Sequence, residues 1–448
     1  MLPFLTAYDP LGGSSGSIDP LGALQTYGAL ADMLLPGVTT ITTRSRYLSM
    51  LCAALANAER HHRFLPGASG LSQRRKAIEP FERLWALACV AARENGEGLA
   101  ADGLRGITYA EKSYRHFSQN GKKVNPDFKL LKYQSRTGAV GTYWTALIGG
   151  ELAHPDTGAL ASEGFDLANE FPDVPLSTKD RKRVADPEAA HRVSMAFDDL
   201  VDWAEQCHLV GADVSERSQL GEALIANDRR DCIALALQQM EAEGGLPEDW
   251  GTADFEVLRE KLAGIPRAEK QGLPRVVDAV LATERFHEAV LAVFQSLLWW
   301  GTQHSDKSLE DLVAKSDFQE STTRCRERAL LLREFREACE LPTIREAIKG
   351  LVSFAYTIDR ATTPRLVVDE ILHRHHQVQS GKVDGGVPKR DWLTMDNGKV
   401  LRPSPRFQRK EPPAAAIGAT LTHPYRLEPF IYMLRENDVL PPIKQETN

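Results

Sequence analysis

Arg44 and Arg46 stand at the mouth of an apolar helix, with Tyr47 directly after them. Two cations at a helix start oppose the helix dipole, which favours negative charge at that end. Something anionic must offset the cost: an internal carboxylate, a phosphate or a partner. The Tyr47 hydroxyl can donate to the same anion. Both arginines cannot face the core unpaired, because a buried lone charge is too costly. Two readings follow. One is binding of a phosphate, or of a flipped or single-stranded nucleotide. The other is an internal pair, with Asp32 or another local carboxylate, that pins two helices together.

A second concentration of cations spans 382–410. It holds Lys382, Lys389, Arg390, Lys399, Arg402, Arg406, Arg409 and Lys410 against Asp384, Asp391 and Asp396. Arg365, Arg374 and the histidines His373, His375 and His376 lie just upstream. The interleaved Trp392 and Phe407 can stack on bases, and backbone phosphates are the natural partner for the cations. The alternative is a solvated basic loop paired to acids of the body. His375 or His376 can serve as a general acid or base, since imidazole titrates near neutrality. Either can equally cap a helix end.

Other chemistry leaves little trace. The chain has no GxxxxGK[ST], no HExxH and no Gly-x-Ser-x-Gly elbow. Three Glu-x-x-His pairs occur, Glu59/His62, Glu188/His191 and Glu284/His287. On helices each would share one face, as in di-iron bundles, but the flanking ligand helices are missing. The run Pro126–Lys132 loosely echoes nuclease motifs in which carboxylates hold Mg²⁺ beside a lysine. The reading predicts no metal and no cofactor.

The elements that must position these residues are helical. The chain has 448 residues, 42% of them apolar, and a net charge of −7. That balance is ordinary for a globular protein and excludes a uniformly basic nucleic-acid coat, so an anion site must be a local patch. The six cysteines are scattered with no CxxC, which reads as core cysteines in a reducing cytoplasm. No signal peptide and no membrane span is predicted. Asp19-Pro20 starts a helix that Pro36-Gly37 ends. A β-prone run, Val38–Thr43, precedes the helix carrying Tyr47, Leu48, Leu51, Cys52 and Leu55. Pro80 opens another helix. Further helices are predicted over 189–207, 276–300, 309–338 and 343–357, and a linker over 172–187. The glycine- and proline-rich stretch 380–424 is irregular, with a small hairpin turning at Asp396-Asn397-Gly398.

Residues 133–171 read as helix, two-stranded wing, helix. The helix before Gly149-Gly150 carries Val140, Tyr143, Trp144 and Leu147. Leu152-Ala153-His154 and Ala159-Leu160 pair across Pro155–Gly158, and Ser162 caps the next helix. This is the texture of a winged helix, whose recognition helix would offer Ser135, Arg136, Thr137 and Tyr143 to phosphates or base edges. The fold expected is therefore mainly α: a multi-helix body, a winged-helix-like insertion and an irregular basic C-terminal segment. The segments are 1–125, 126–175, 188–375 and 376–448.

The run Asp19–Leu51, with LLPGVTTITTRSRY at its centre, resembles a family of uncharacterised bacterial proteins with an LLPG-x-T-x-x-T-x-R-x-R-Y signature. Leu104-Arg105-Gly106, the wing-like Leu160–Ala168 and the stretch His376–Trp392 resemble its later segments. The Gly/Ser-rich run Gly12–Ser17 departs from the pattern. Genes of this kind sit in mobile or phage-defence neighbourhoods, so the resemblance implies a bacterial cytoplasm and antiviral defence, and no mechanism. The function expected is a non-catalytic nucleic-acid-binding component of such a system, with DNA and proteins of the same operon as partners. Arg44, Arg46, Tyr47, Arg136, Tyr143, Lys382, Lys389, Arg390, Trp392, Arg402 and Arg406 would make the contacts. The alternatives are a nucleic-acid-processing enzyme using His375 or His376, and a protein-interaction scaffold.

Overall fold

The computed structural model describes residues 19–120, 123–384, 387–413, 421–423 and 425–442. Helices dominate them, and the short strands form only two-stranded pairs. The run 12–17, the chain start and Gly385, Gly386 and Gly418 lie outside the described residues. The chain separates into two compact units. One is the described part of Met1–Leu34 with Ala236–Tyr425, and the other is Leu35–Leu235 with Arg426–Asn448. The sequence segments 1–125 and 188–375 each contribute to both units. Contacts between stretches distant in sequence set this division, and local composition does not report them.

The spine of the Ala236–Tyr425 unit is the helix Leu273–Gln303. It packs against Leu24–Leu34, Thr252–Ala263, Ser316–Ala338 and Pro364–Ser380. Val277, Val280, Phe286, Val290, Phe294 and Leu297 recur at helical spacing and are all fully buried. The first helix runs Leu24–Leu34, so Asp19-Pro20 precedes it and does not start it, and Asp19 caps it from outside. Its carboxylate accepts the N–H groups of Gly22, Ala23 and Leu24 at 2.8, 3.0 and 3.1 Å. The hairpin pairs Leu393–Asp396 with Val400–Pro403. It turns through Asn397 and Gly398 at φ 50° and 69°, conformations that Asn and Gly tolerate best.

In the Leu35–Leu235 unit the helices Arg46–His61, Gly67–Glu94, Ser162–Glu170 and Phe197–Cys207 pack together. Several sequence expectations change here. Val38–Thr43 is a turn and not a strand, because the Thr42 hydroxyl accepts the Thr39 N–H at 2.9 Å and donates to the Thr39 carbonyl at 2.8 Å. Threonine side chains thereby supply what a neighbouring strand would have. Pro80 does not open a helix; Gly67–Glu94 runs through it. The proline costs about 3 kcal/mol, but each large apolar side chain buried beyond it returns about 1.5–3 kcal/mol. Phe81, Leu84 and Trp85 are all buried. The stretch 189–207 has a 3₁₀ turn at Ala190–Arg192 and is α-helical only from Phe197, because Met195–Ala196 pairs with Lys123–Val124 instead. The helix Thr178–Val184 occupies the expected linker.

Around the expected wing, a helix Ala139–Gly149 precedes an antiparallel bridge, Ala153 to Leu160, and the helix Ser162–Glu170 follows. The two expected strands reduce to that bridge. The first helix buries Ala139, Val140, Thr142, Tyr143, Ala146 and Leu147, so that face is core.

Glu82 holds the start of this helix. Its carboxylate accepts the Ala139 N–H at 2.7 Å and the Gln134 amide at 2.8 Å. Burial pushes it up to about 7 from an ordinary 4.5. The folded state then binds a proton that the unfolded chain has released between those values. The contribution of Glu82 to stability is full below pH 4.5 and is lost as pH rises towards 7. Glu82→Gln is expected to flatten this slope in urea unfolding across that range. A slope identical to wild type would show that the carboxylate titrates normally.

Candidate nucleic-acid interface

The helix Pro364–Ser380 leads into the cationic segment and anchors it. His375 is completely buried. Its Nδ1 lies 2.9 Å from the Pro20 carbonyl, and its Nε2 accepts the Trp392 N–H at 2.8 Å. That pairing selects the neutral Nδ1–H tautomer, and burial lowers the pKa further. Both nitrogens are occupied, so His375 is a structural pin and not a proton-transfer group. His376 is exposed, with Nδ1 2.8 Å from Asp391.

The cations divide into two sets. Arg365 pairs with Glu310 and Asp369 at 2.8 and 3.1 Å. Arg374 donates to the Leu21 carbonyl at 3.0 Å, and Lys382 to that of Asp19. These hold the unit together. Arg390, Lys399, Arg402, Arg406 and Lys410 are exposed, and Lys389 is half-buried. Among the described residues only Arg402 of these six is ion-paired, to Asp396 at a loose 3.8 Å. Trp392 and Phe407 stack on each other, centroids 4.3 Å apart and 4° from parallel, leaving outer faces only. Arg406 lies over the Phe407 ring at 5.9 Å.

The early arginines have different surroundings. Arg46 is 1% exposed. It grips Glu216 with two bonds, Nε at 3.0 Å and a terminal nitrogen at 2.8 Å. It also donates to the carbonyls of Gln206, at 2.7 Å, and His208. Arg44 pairs with Asp102 at 2.7 Å and Glu436 at 3.4 Å. The anion demanded by the helix start is Glu436, whose carboxylate accepts the Ser45 N–H at 2.8 Å and the Ser45 hydroxyl at 2.6 Å. Tyr47 and Tyr143 stack at 4.5 Å. Their hydroxyls accept the N–H groups of Arg105, at 2.8 Å, and Arg44, at 3.1 Å. Arg44, Arg46, Tyr47 and Tyr143 are therefore committed to internal partners and buried. This corrects their expected place on a nucleic-acid surface. The internal-pair reading describes them, with carboxylates distant in sequence. Arg136 of the same unit is exposed.

No protein-family model, curated protein or solved structure matches this chain.

Glu59, His62 and Glu284 of the Glu-x-x-His pairs make internal contacts. Glu59 binds Arg74 at 3.0 Å, and His62 contacts the Lys182 carbonyl at 3.1 Å. Glu284 accepts the Thr422 N–H at 2.9 Å and the Tyr425 hydroxyl at 3.1 Å. Among the described residues no three His, Cys, Asp or Glu groups converge as a metal site. No helix there is long and apolar enough to cross a membrane. The six cysteines are buried and unbridged.

Two features escaped the sequence reading. Arg230 is fully buried and donates to the Pro36 carbonyl at 2.7 Å, and burial pushes its pKa down to about 10. The other is a pocket of about 300 Å³ that brings Tyr27, His287 and His423 together. The only signal for it was the Glu284/His287 spacing.

Proposed function

We propose that this chain is a non-catalytic nucleic-acid-binding protein, with DNA as its partner. It grips the phosphate backbone through Lys389, Arg390, Lys399, Arg402, Arg406 and Lys410. One observation carries the reading: five of these six cations are exposed, and only one has a carboxylate partner among the described residues. On a chain of net charge −7, cations left unpaired have an external polyanion as their natural partner. The resemblance of Asp19–Leu51 supports a role in bacterial antiviral defence, alongside proteins of its operon. Six buried, unbridged cysteines fit a cytoplasmic location. The internal commitments of Arg44 and Arg46 move the whole weight of the reading onto the 382–410 segment.

Arg390 and Arg406 are both exposed without ion pairs among the described residues, so reversing them breaks no ion pair there, and costs only the contact of Arg406 with the Phe407 ring. The double change Arg390→Glu/Arg406→Glu is expected to weaken DNA binding at low salt by about 10²-fold. The melting temperature should stay put. Unchanged affinity would remove this segment from the interface.

A further inference from the structure

The pocket in the Ala236–Tyr425 unit has two contrasting ends. Its walls are apolar and aromatic: Leu24, Leu291, Phe294, Leu298, Trp392 and Phe407. Its polar end is built by Tyr27, His287, His423 and Thr422. The Tyr27 ring lies 5.3 Å from that of His287 and 5.5 Å from that of His423, centroid to centroid. Tyr27 and His287 are 2% and 3% exposed. Neither the Tyr27 hydroxyl nor either ring nitrogen of His287 has a hydrogen-bond partner among the described residues.

Buried polar atoms are almost always satisfied. Leaving one unmet costs about 1–3 kcal/mol, and here three such atoms belong to two adjacent rings. The cost is rational where a ligand or trapped water meets them. Burial pushes His287 down to about 4 and raises Tyr27 well above its usual value. At neutral pH the imidazole therefore keeps one N–H and one lone pair, and the phenol keeps its proton. Glu284 behind them is occupied by Thr422 and Tyr425. Asp19 at the rim accepts three backbone N–H groups. Tyr27 and His287 thus offer both a donor and an acceptor without formal charge, in a pocket whose lining includes the rings of Phe294, Trp392 and Phe407. The volume is at the small end for ligand pockets, enough for one ring system.

We propose that this pocket binds a neutral planar heterocycle whose edge sets an N–H donor beside a carbonyl acceptor, as thymine does. Tyr27 and His287 read the edge, and the apolar walls hold the ring. The source is either a free nucleoside or a base extruded from a bound strand, since such bases are read by their pairing edge against apolar walls. Trp392, Phe407 and Arg409 belong both to the pocket and to the cationic segment. The strand form of the inference rests on the nucleic-acid reading above.

The test is calorimetric titration of the full chain with three probes: thymidine, oligo-dT, and an abasic sugar-phosphate strand of equal length. The variants are Tyr27→Phe and His287→Phe, which remove unsatisfied polar atoms and should melt no lower than wild type. Thymidine binding that falls about tenfold in Tyr27→Phe assigns the pocket to a free nucleoside. Oligo-dT binding at least tenfold tighter than the abasic strand, with that margin lost in Tyr27→Phe, assigns it to a strand base. Thymidine silent, with oligo-dT and abasic strand equal, overturns the pocket. So do variants that bind as wild type does. Failure of the abasic strand alone overturns the backbone-gripping reading and leaves the thymidine result standing.

Discussion

Arg46→Ala is expected to destabilise the Leu35–Leu235 unit by about 3–5 kcal/mol. Arg46 and Glu216 are each 1% exposed and joined by two hydrogen bonds. Removing the guanidinium leaves a carboxylate buried with no counterion, and strips the carbonyls of Gln206 and His208 of a donor. The loss is larger than the net worth of the pair, because desolvating an unpaired charge dominates. Replacing both partners, Arg46→Met with Glu216→Leu, should therefore recover most of it. Urea unfolding of the three proteins measures the difference. Alanine at 46 within about 1 kcal/mol of wild type would contradict a buried clamp. So would a double variant no better than the single.

Gly37→Ala should be comparably severe. Gly37 sits at φ +79°, the left-handed region, which costs a non-glycine residue about 1–3 kcal/mol. A Cβ there would come within 2.5 Å of the Thr145 carbonyl oxygen and of an Arg230 terminal nitrogen. The arginine can swing, but the backbone oxygen cannot without moving the helix Ala139–Gly149 that carries it. Arg230 also holds the adjacent Pro36 carbonyl at 2.7 Å, so displacement strains a second anchor. The expected cost is about 3 kcal/mol or more. A loss under about 1 kcal/mol, read by denaturant midpoint, would show that the Pro36-Gly37 corner yields freely.

These two sites explain why the stretch 34–47 stood out in the sequence. The conflict at its helix start was real, and the demand for an anion was correct. What the sequence could not say was which anion, because Glu436, Asp102 and Glu216 lie far along the chain from Arg44 and Arg46. Hydrophobic periodicity reports local geometry, so helices such as Leu273–Gln303 were legible. Asp19 as a cap, though not as the helix start, and Asn397-Gly398 as a turn were also legible, since each follows a local stereochemical rule. The run Val38–Thr43 failed because threonine serves turns through its hydroxyl as readily as strands through its branching. Pro80 failed because tertiary burial outweighed a local penalty. His375 was rightly singled out, but its task was hidden until Pro20 and Trp392 were seen on its two nitrogens. The pocket was invisible because Tyr27, His287 and Trp392 come from three separated stretches.

The cationic segment carries the functional account, and backbone gripping has a thermodynamic signature that no scaffold or small-molecule role shares. Each phosphate neutralised releases condensed counterions, so affinity must fall as a power of salt concentration. Equilibrium binding of the full chain to duplex DNA, followed from roughly 50 to 200 mM salt, measures it directly. Engagement of Lys389, Arg390, Lys399, Arg402, Arg406 and Lys410 predicts a fall on the order of 10³-fold across that range. Affinity that stays level, or no association at the lowest salt, would contradict the account.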